Sequence, residues 1–355
     1  MKRIYLIIIF NVLLVTSFAQ QSEDDFRKVC FCSVGIAHPY TILRFDNNWE
    51  LLFAFENGKS LCELDSLNVN YSESQIEILK LWKLIEKIDG KYYTSIPFYT
   101  EPNSTRLRIE TKQIARNIVS LIQSDYNLFS QIIKKRQIEK NTFSLFFAFV
   151  LDDLVWQVFN ENGLIKKVEV TKENPLWDGT MWVIQPKRDF SCGTSSLKYK
   201  NLSISINTLP KKSNVEVSDY KLLKKMLKDY KENGKVTDKE ILQTFEKNDF
   251  FDSSGKLLIP TIKADSTDML FNQSIAIANK VANYLIENIE FERIIKQYSF
   301  EDKEQAILVL YHEIMWDILE IMENAGQLSK PVVFDNTKVA KQKDYRDLIF
   351  IVEYN

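Results

Sequence analysis

The feature that most constrains this chain is that it repeats itself. Glu86-Lys87 is matched by Glu246-Lys247, Gly90-Lys91 by Gly255-Lys256, and Ile96-Pro97 by Ile259-Pro260. Ile132-Ile133-Lys134 returns as Ile294-Ile295-Lys296, Trp156 as Trp316, and Gly163-Leu164 near Gly326-Gln327-Leu328. The order is kept and the offset stays between 160 and 165 residues. A period this long indicates a duplicated domain rather than a solenoid, whose repeats run to 20–50 residues. The expected organisation is a leader at 1–20, repeat domain 1 at 21–165 and repeat domain 2 at 166–355.

Each copy reads as short β segments followed by helices, an α+β tandem duplication of a mostly helical domain. In the first copy, Tyr40 to Leu43 and Trp49 to Phe55 are apolar runs bounded by the turn signals Asp46-Asn47-Asn48 and Glu56-Asn57-Gly58, which predicts strands. In the second, Met181 to Ile184 and Leu197 to Ile206 take that part. Leu202, Ile204 and Ile206 alternate with polar residues, the period of a half-buried strand. Ser72…Gln75 and Thr237…Glu240 fit capping boxes that start helices. Ile76, Leu79, Ile85 and Ile88 continue the first of these at helical spacing. A Gly-Lys turn, a strand ending in Ile-Pro and a long helix follow, at 111–135 and 273–297. A very apolar helix carrying the Trp closes each copy.

Helix, Gly-Lys turn and short strand together resemble the recognition helix and wing of a winged-helix domain. The resemblance lies in Ile85-Glu86-Lys87-Ile88-Asp89-Gly90-Lys91-Tyr92-Tyr93 and, more loosely, in Phe245 to Leu258. It implies DNA binding. The charge opposes that implication, because a formal net charge of −2 supplies no field to gather phosphates.

The first twenty residues say where the chain works. A basic start, Met1-Lys2-Arg3, precedes an apolar run from Ile4 to Val15, and Ser17 and Ala19 stand at the positions a signal peptidase reads. Cleavage is expected to leave Gln20 or Gln21 first, and to take the net charge to −4 by removing Lys2 and Arg3. A spanning helix needs about 20 apolar residues, so this run is too short for one. The expected location is periplasmic or secreted, with no stable membrane insertion. The nine glycines form neither GxGxxG nor GxxxxGK[ST], so no nucleotide cofactor is indicated.

Chemistry-bearing residues gather on the two Trp helices. Phe143 to Phe159 holds 13 apolar residues in 17, with Asp152 and Asp153 its only charges. Gln305 to Met322 holds 13 in 18, with His312 and Glu313 at the matching positions. Carboxylates on helices this apolar need a partner or a metal, so Asp152, Asp153, His312 and Glu313 are candidate ligands of a metal-dependent hydrolase. HExxH is absent, because position 316 is Trp. Tyr92, Tyr93, Phe98 and Tyr99 form a candidate platform for a protein or glycan partner. Cys30, Cys32 and His38 have a metal-like spacing that no second CxC or CxxC completes. In an exported chain the expectation is instead a disulfide, Cys62 with Cys30 or Cys32. The leading expectation for function is an exported binding or structural module. The metal-dependent hydrolase and the winged-helix DNA-binding regulator are the alternatives.

Overall fold

The computed structural model describes residues 23–35, 37–208, 219–335 and 337–355. The expected leader at 1–20 lies outside them. The protein is a mixed α+β, helix-rich chain with small sheets. It divides into two compact units, Met1–Arg106 with Lys167–Asp189, and Leu107–Lys166 with Phe190–Asn355. These units interleave in sequence, where contiguous halves at 21–165 and 166–355 were expected.

The first unit opens with β1 (Arg27–Val34). Four short helices follow: α1 (Pro39–Leu43), α2 (Asn48–Ala54), α3 (Leu61–Ser66) and α4 (Glu73–Leu81). Then come the hairpin β2 (Ile85–Ile88) and β3 (Lys91–Thr94), the short β4 (Phe98–Tyr99) and, after the excursion into the second unit, β5 (Trp177–Ile184). β5 lies between β1, antiparallel from Arg27↔Ile184 to Val34↔Trp177, and β4, parallel through Phe98↔Val183.

Several expectations change here. Tyr40 to Leu43 and Trp49 to Phe55 are helices, not strands. Pro39 pre-sets the first turn of α1, and Leu51, Leu52 and Phe55 are buried at helical spacing. The helix begun at Ser72, with its capping box formed as expected, stops at Leu81. Lys83 takes a left-handed φ of 54°, and β-branched Ile85 and Ile88 pass into the hairpin. Asp89 and Gly90 both have positive φ, 49° and 81°, the tight turn that matches strand twist. The stretch likened to a recognition helix and wing is therefore a β-hairpin behind a shorter helix.

The second unit is built on long helices: α5 (Asn103–Lys135), whose first turn belongs to the other unit, and α6 (residues 142–161). The middle of α6, Leu145–Leu154, is wound wider than an α-helix, with the Val155 N–H reaching the Val150 carbonyl. Such winding rarely persists for this length. By length and composition Glu139–Glu161 could cross a membrane, longer than the 17-residue run suggested, yet 72% of its most apolar window is buried inside the protein. The hairpin β6 (Gly193–Tyr199) and β7 (Leu202–Thr208) precedes α7 (Tyr220–Asn233), α8 (Lys239–Phe245) and β8 (Thr261–Ala264). α8 is capped by Asp238, not Thr237, because the Asp238 carboxylate accepts the Glu240 and Ile241 N–H groups.

The helix expected at 273–297 is two, α9 (Met269–Asn288) and α10 (Phe291–Tyr298), since Ile289 is extended at φ −86°, ψ 119°. α11 (Lys303–Asn324) and β9 (Ile349–Tyr354) complete the unit. β9 is central, antiparallel to β7 and parallel to β8. Trp156 on α6 and Trp316 on α11 are both buried, at 6% and 3% exposure.

Candidate functional site

On β1 alternate side chains share a face, so Lys28, Cys30 and Cys32 point together. The strand is at the edge of its sheet, and both cysteines are half-buried. Opposite Cys32 stands Gly179, at φ +137°, where an added Cβ would come within 2.2 Å of the Phe31 carbonyl oxygen and 2.6 Å of the Cys32 Cα. Only glycine permits this approach of β5 to the cysteine strand.

His38 reaches the same face from the start of α1. It is the N-cap residue, and its Nδ1 accepts the Tyr40 N–H at 3.2 Å. That bond leaves the ring proton on Nε2, which faces the Cys32 Sγ at 3.8 Å. The ring packs on Tyr40 at 4.3 Å between centroids, and the Tyr40 hydroxyl donates to the Lys28 carbonyl at 3.0 Å. The histidine is thus held by its cap and its neighbour's ring. Sγ of Cys30, Sγ of Cys32 and a ring nitrogen of His38 lie within 4.8 Å of one another.

The electrostatics separate the two thiols. The Cys30 thiol donates to the Cys32 sulfur and, with the His38 ring, draws Cys32 down to about 6 against the opposing effect of burial. Cys30, the donor of that bond and itself buried, is pushed well above the ordinary thiol range. Burial, followed by the Arg44 and Lys187 charges, brings the Lys28 ammonium down to about 8. Lys28 is paired with Glu23 and lies over the Trp49 ring. One thiolate, one thiol and one imidazole N–H on a partly open strand edge make a nucleophile with a second sulfur beside it.

The other predicted sites are placed elsewhere. Asp152 accepts the Trp156 indole N–H at 3.3 Å. The His312 ring lies 4.9 Å from the Trp156 ring and its Nδ1 is 2.7 Å from the Leu308 carbonyl. Glu313, fully buried, accepts from Arg108 Nε at 2.8 Å. Asp153 is exposed and accepts from the Tyr354 hydroxyl. Asp152 and His312 thus meet on Trp156, while Glu313 and Asp153 are engaged by Arg108 and Tyr354. Among the described residues, the one set of three or more His, Cys, Asp or Glu ligand atoms within such reach is Cys30, Cys32 and His38.

Of the aromatic quartet two residues are buried, and Tyr93 and Phe98 are half-buried. Tyr92 and Tyr99 are 7% and 8% exposed, and Phe98 packs edge-on to Phe26 and Phe53. Cys30, Cys32 and Cys62 are free thiols. The expected bridge is not formed, because Cys62 is exposed on α3 while the strand cysteines engage each other and His38. Tyr40 reads in the sequence only as the start of a strand, and Gly179 is not singled out there. A His-Pro pair opening a short helix was the signal for the first; the second has none without its strand partner. No protein family, no curated protein and no solved structure matches the chain.

Proposed function

We propose that the protein is an exported binding module, a two-copy α+β scaffold whose functional group is the Cys30/Cys32/His38 cluster of the first copy. The repeated sheet supports the duplication. In β1-β5-β4 and in β7-β9-β8 the last strand in sequence is central, antiparallel to the first and parallel to the short strand after Ile-Pro. The Val183 N–H donates to the Pro97 carbonyl at 3.0 Å, and the Ile351 N–H to the Pro260 carbonyl at 2.8 Å. On this reading the copies run from β1 to β5 and from β7 to β9, and the boundary falls after β5 rather than at 165.

The observation that carries the function is what the second copy holds where the first has its thiols. Matching Val183 to Ile351 sets Met181 on Ile349 and hence Cys30 on Ile206 and Cys32 on Thr208. Residues the scaffold requires recur in both copies, as Trp156 and Trp316 do. The thiols do not recur, so packing leaves them open to a ligand-directed role. The helix and hairpin at 73–94 keep a winged-helix likeness of outline only, and the net charge of −2 favours a small-molecule or protein ligand over nucleic acid.

The test takes the chain with its leader. Fractionation is expected to find it exported, with Gln20 or Gln21 first, and Cys30→Ile with Cys32→Thr is expected to leave the melting temperature within a few degrees. Retention of Met1 removes the export reading. A large loss of stability makes the cluster a packing element and removes the binding reading.

A further inference from the structure

We propose that Cys32 and Cys30 form a thiol–disulfide exchange pair, with Cys32 the attacking sulfur, Cys30 the resolving sulfur, and an accessible disulfide of a small molecule or peptide as substrate. This rests on the reading above that the cluster serves function rather than packing.

Three geometric facts carry it. The two sulfurs share one face of a strand and lie within 4.8 Å of each other. The His38 Nε2–H faces Cys32, not Cys30, so the negative charge has a donor on one sulfur only. The His38 Nδ1 is occupied by the Tyr40 N–H. That bond disfavours a metal, since a ring binding an ion through Nε2 needs its proton on Nδ1, where the backbone N–H already points. The charged groups around the cluster are Arg27 and Lys28 on β1, Arg44 after α1 and Lys187 beyond β5, with Glu23 paired to Lys28. Arg44 and Lys187 act on Lys28, and Arg27 and Arg44 on Tyr40, while Cys32 is governed by Cys30 and His38.

In the first step the Cys32 thiolate attacks one sulfur of RS–SR. A Cys32–S–SR bond forms, the RS–SR bond breaks, and RS⁻ leaves with the electron pair. Cys32 then no longer accepts the Cys30 proton, which passes to the departing thiolate. The Cys30 sulfur attacks Cys32, the Cys30–Cys32 bond forms, and the second RS⁻ leaves. One disulfide is reduced to two thiols and the pair is oxidised, with no other reagent. Residues two apart on an extended strand have Cα atoms about 6.6 Å apart, at the upper limit of disulfide geometry. The internal bond is therefore strained and easily returned, as an exchanging disulfide requires and a structural one does not.

Exposed Cys62 provides an internal reference. At pH 6 a thiol titrating at about 6 is half thiolate, against about 0.3% for an ordinary thiol near 8.5. The lower nucleophilicity of the more acidic sulfur returns about tenfold of that advantage, leaving about a tenfold gain. Reduced protein is mixed with glutathione disulfide at pH 6, acid-quenched, and its peptides are weighed. The wild type is expected to form Cys30–Cys32 without a lasting adduct, Cys30→Ser to trap glutathione on Cys32 about tenfold faster than on Cys62, and Cys32→Ser to lose the fast reaction. His38→Ala is expected to move the pH profile of Cys32 upward. The proposal is overturned if Cys62 reacts ahead of Cys32 in the wild type and Cys30→Ser, or if the wild-type mixed disulfide persists unresolved. Either failure leaves intact the melting-temperature result that tests the module reading.

Discussion

Asp268 concentrates more interactions than any candidate site residue, and all of them are structural. It caps α9 through the Leu270 and Phe271 N–H groups, accepts the Lys263 N–H at 3.0 Å, and is gripped by Arg136 at 2.6 Å. Burial alone would push its carboxyl up. The Arg136 guanidinium and the Lys263 and Phe271 N–H groups outweigh that and hold it below the usual carboxylate range. A carboxyl depressed in the folded state contributes stability that is complete above its unfolded value, about 3.9, and is lost as pH falls through the folded value. Asp268→Asn is therefore expected to cost about 2–4 kcal/mol at pH 7, because Asn still caps the helix while Arg136 loses its nearly buried counter-charge. Urea unfolding should show the gap between wild type and variant closing below about pH 4. A gap that stays constant into acid would mean the charge plays no part.

Among the elements, α5 and α11 show why charges on an apolar helix were legible as important but not as to purpose. Arg108, Thr111 and Lys112 on α5 meet Glu313, Asp317 and Glu320 on α11 at 2.8 Å each. Arg108 to Thr111 and Glu313 to Asp317 each advance about one turn, and Lys112, next to Thr111, reaches Glu320 a further turn on. The sequence shows that Glu313 needs a partner; it cannot show that the partner lies 205 residues away. The same limit governs the short helices. α1 and α2 were legible as apolar runs, but five to seven residues carry too little period to separate helix from strand without the surface they pack on. Long helices and the Ser72 cap were legible because each signal is local; the alternation in β7 marked the strand but not its burial, since Ser203, Ser205 and Asn207 are buried as well. Removing one partner of a buried pair strands the other charge, so Glu313→Ala is expected to cost about 3–5 kcal/mol. In a double-mutant cycle Arg108→Ala added to Glu313→Ala should cost well under the sum. Full additivity would show that the pair is not coupled.

For the whole molecule, the sequence repeat and the compact units disagree, and the disagreement has a physical consequence. Matching dipeptides report a likeness along the chain, whereas a folding unit is set by which apolar faces cover one another. The N-terminal half of the chain contributes α6 to the second unit, where Trp156 packs against Phe159 and Tyr311 at 5.6 and 4.8 Å between ring centroids. The Tyr311 hydroxyl donates to the Leu151 carbonyl at 2.7 Å inside that core. Cutting the chain beyond β5, after residue 186, separates α6 from α9 and α11. Leu145 through Leu151, all buried in the intact unit, would then face water. Uncovering one large apolar side chain forfeits about 1.5–3 kcal/mol, and several at once exceed the 5–15 kcal/mol by which a domain is stable. Residues 21–186 and 187–355 expressed separately are each expected to be unfolded or aggregated, and to regain native circular dichroism and protease resistance only when mixed. If either fragment alone unfolds cooperatively at the temperature of the intact protein, that fragment is an independent domain and the interleaved division is wrong.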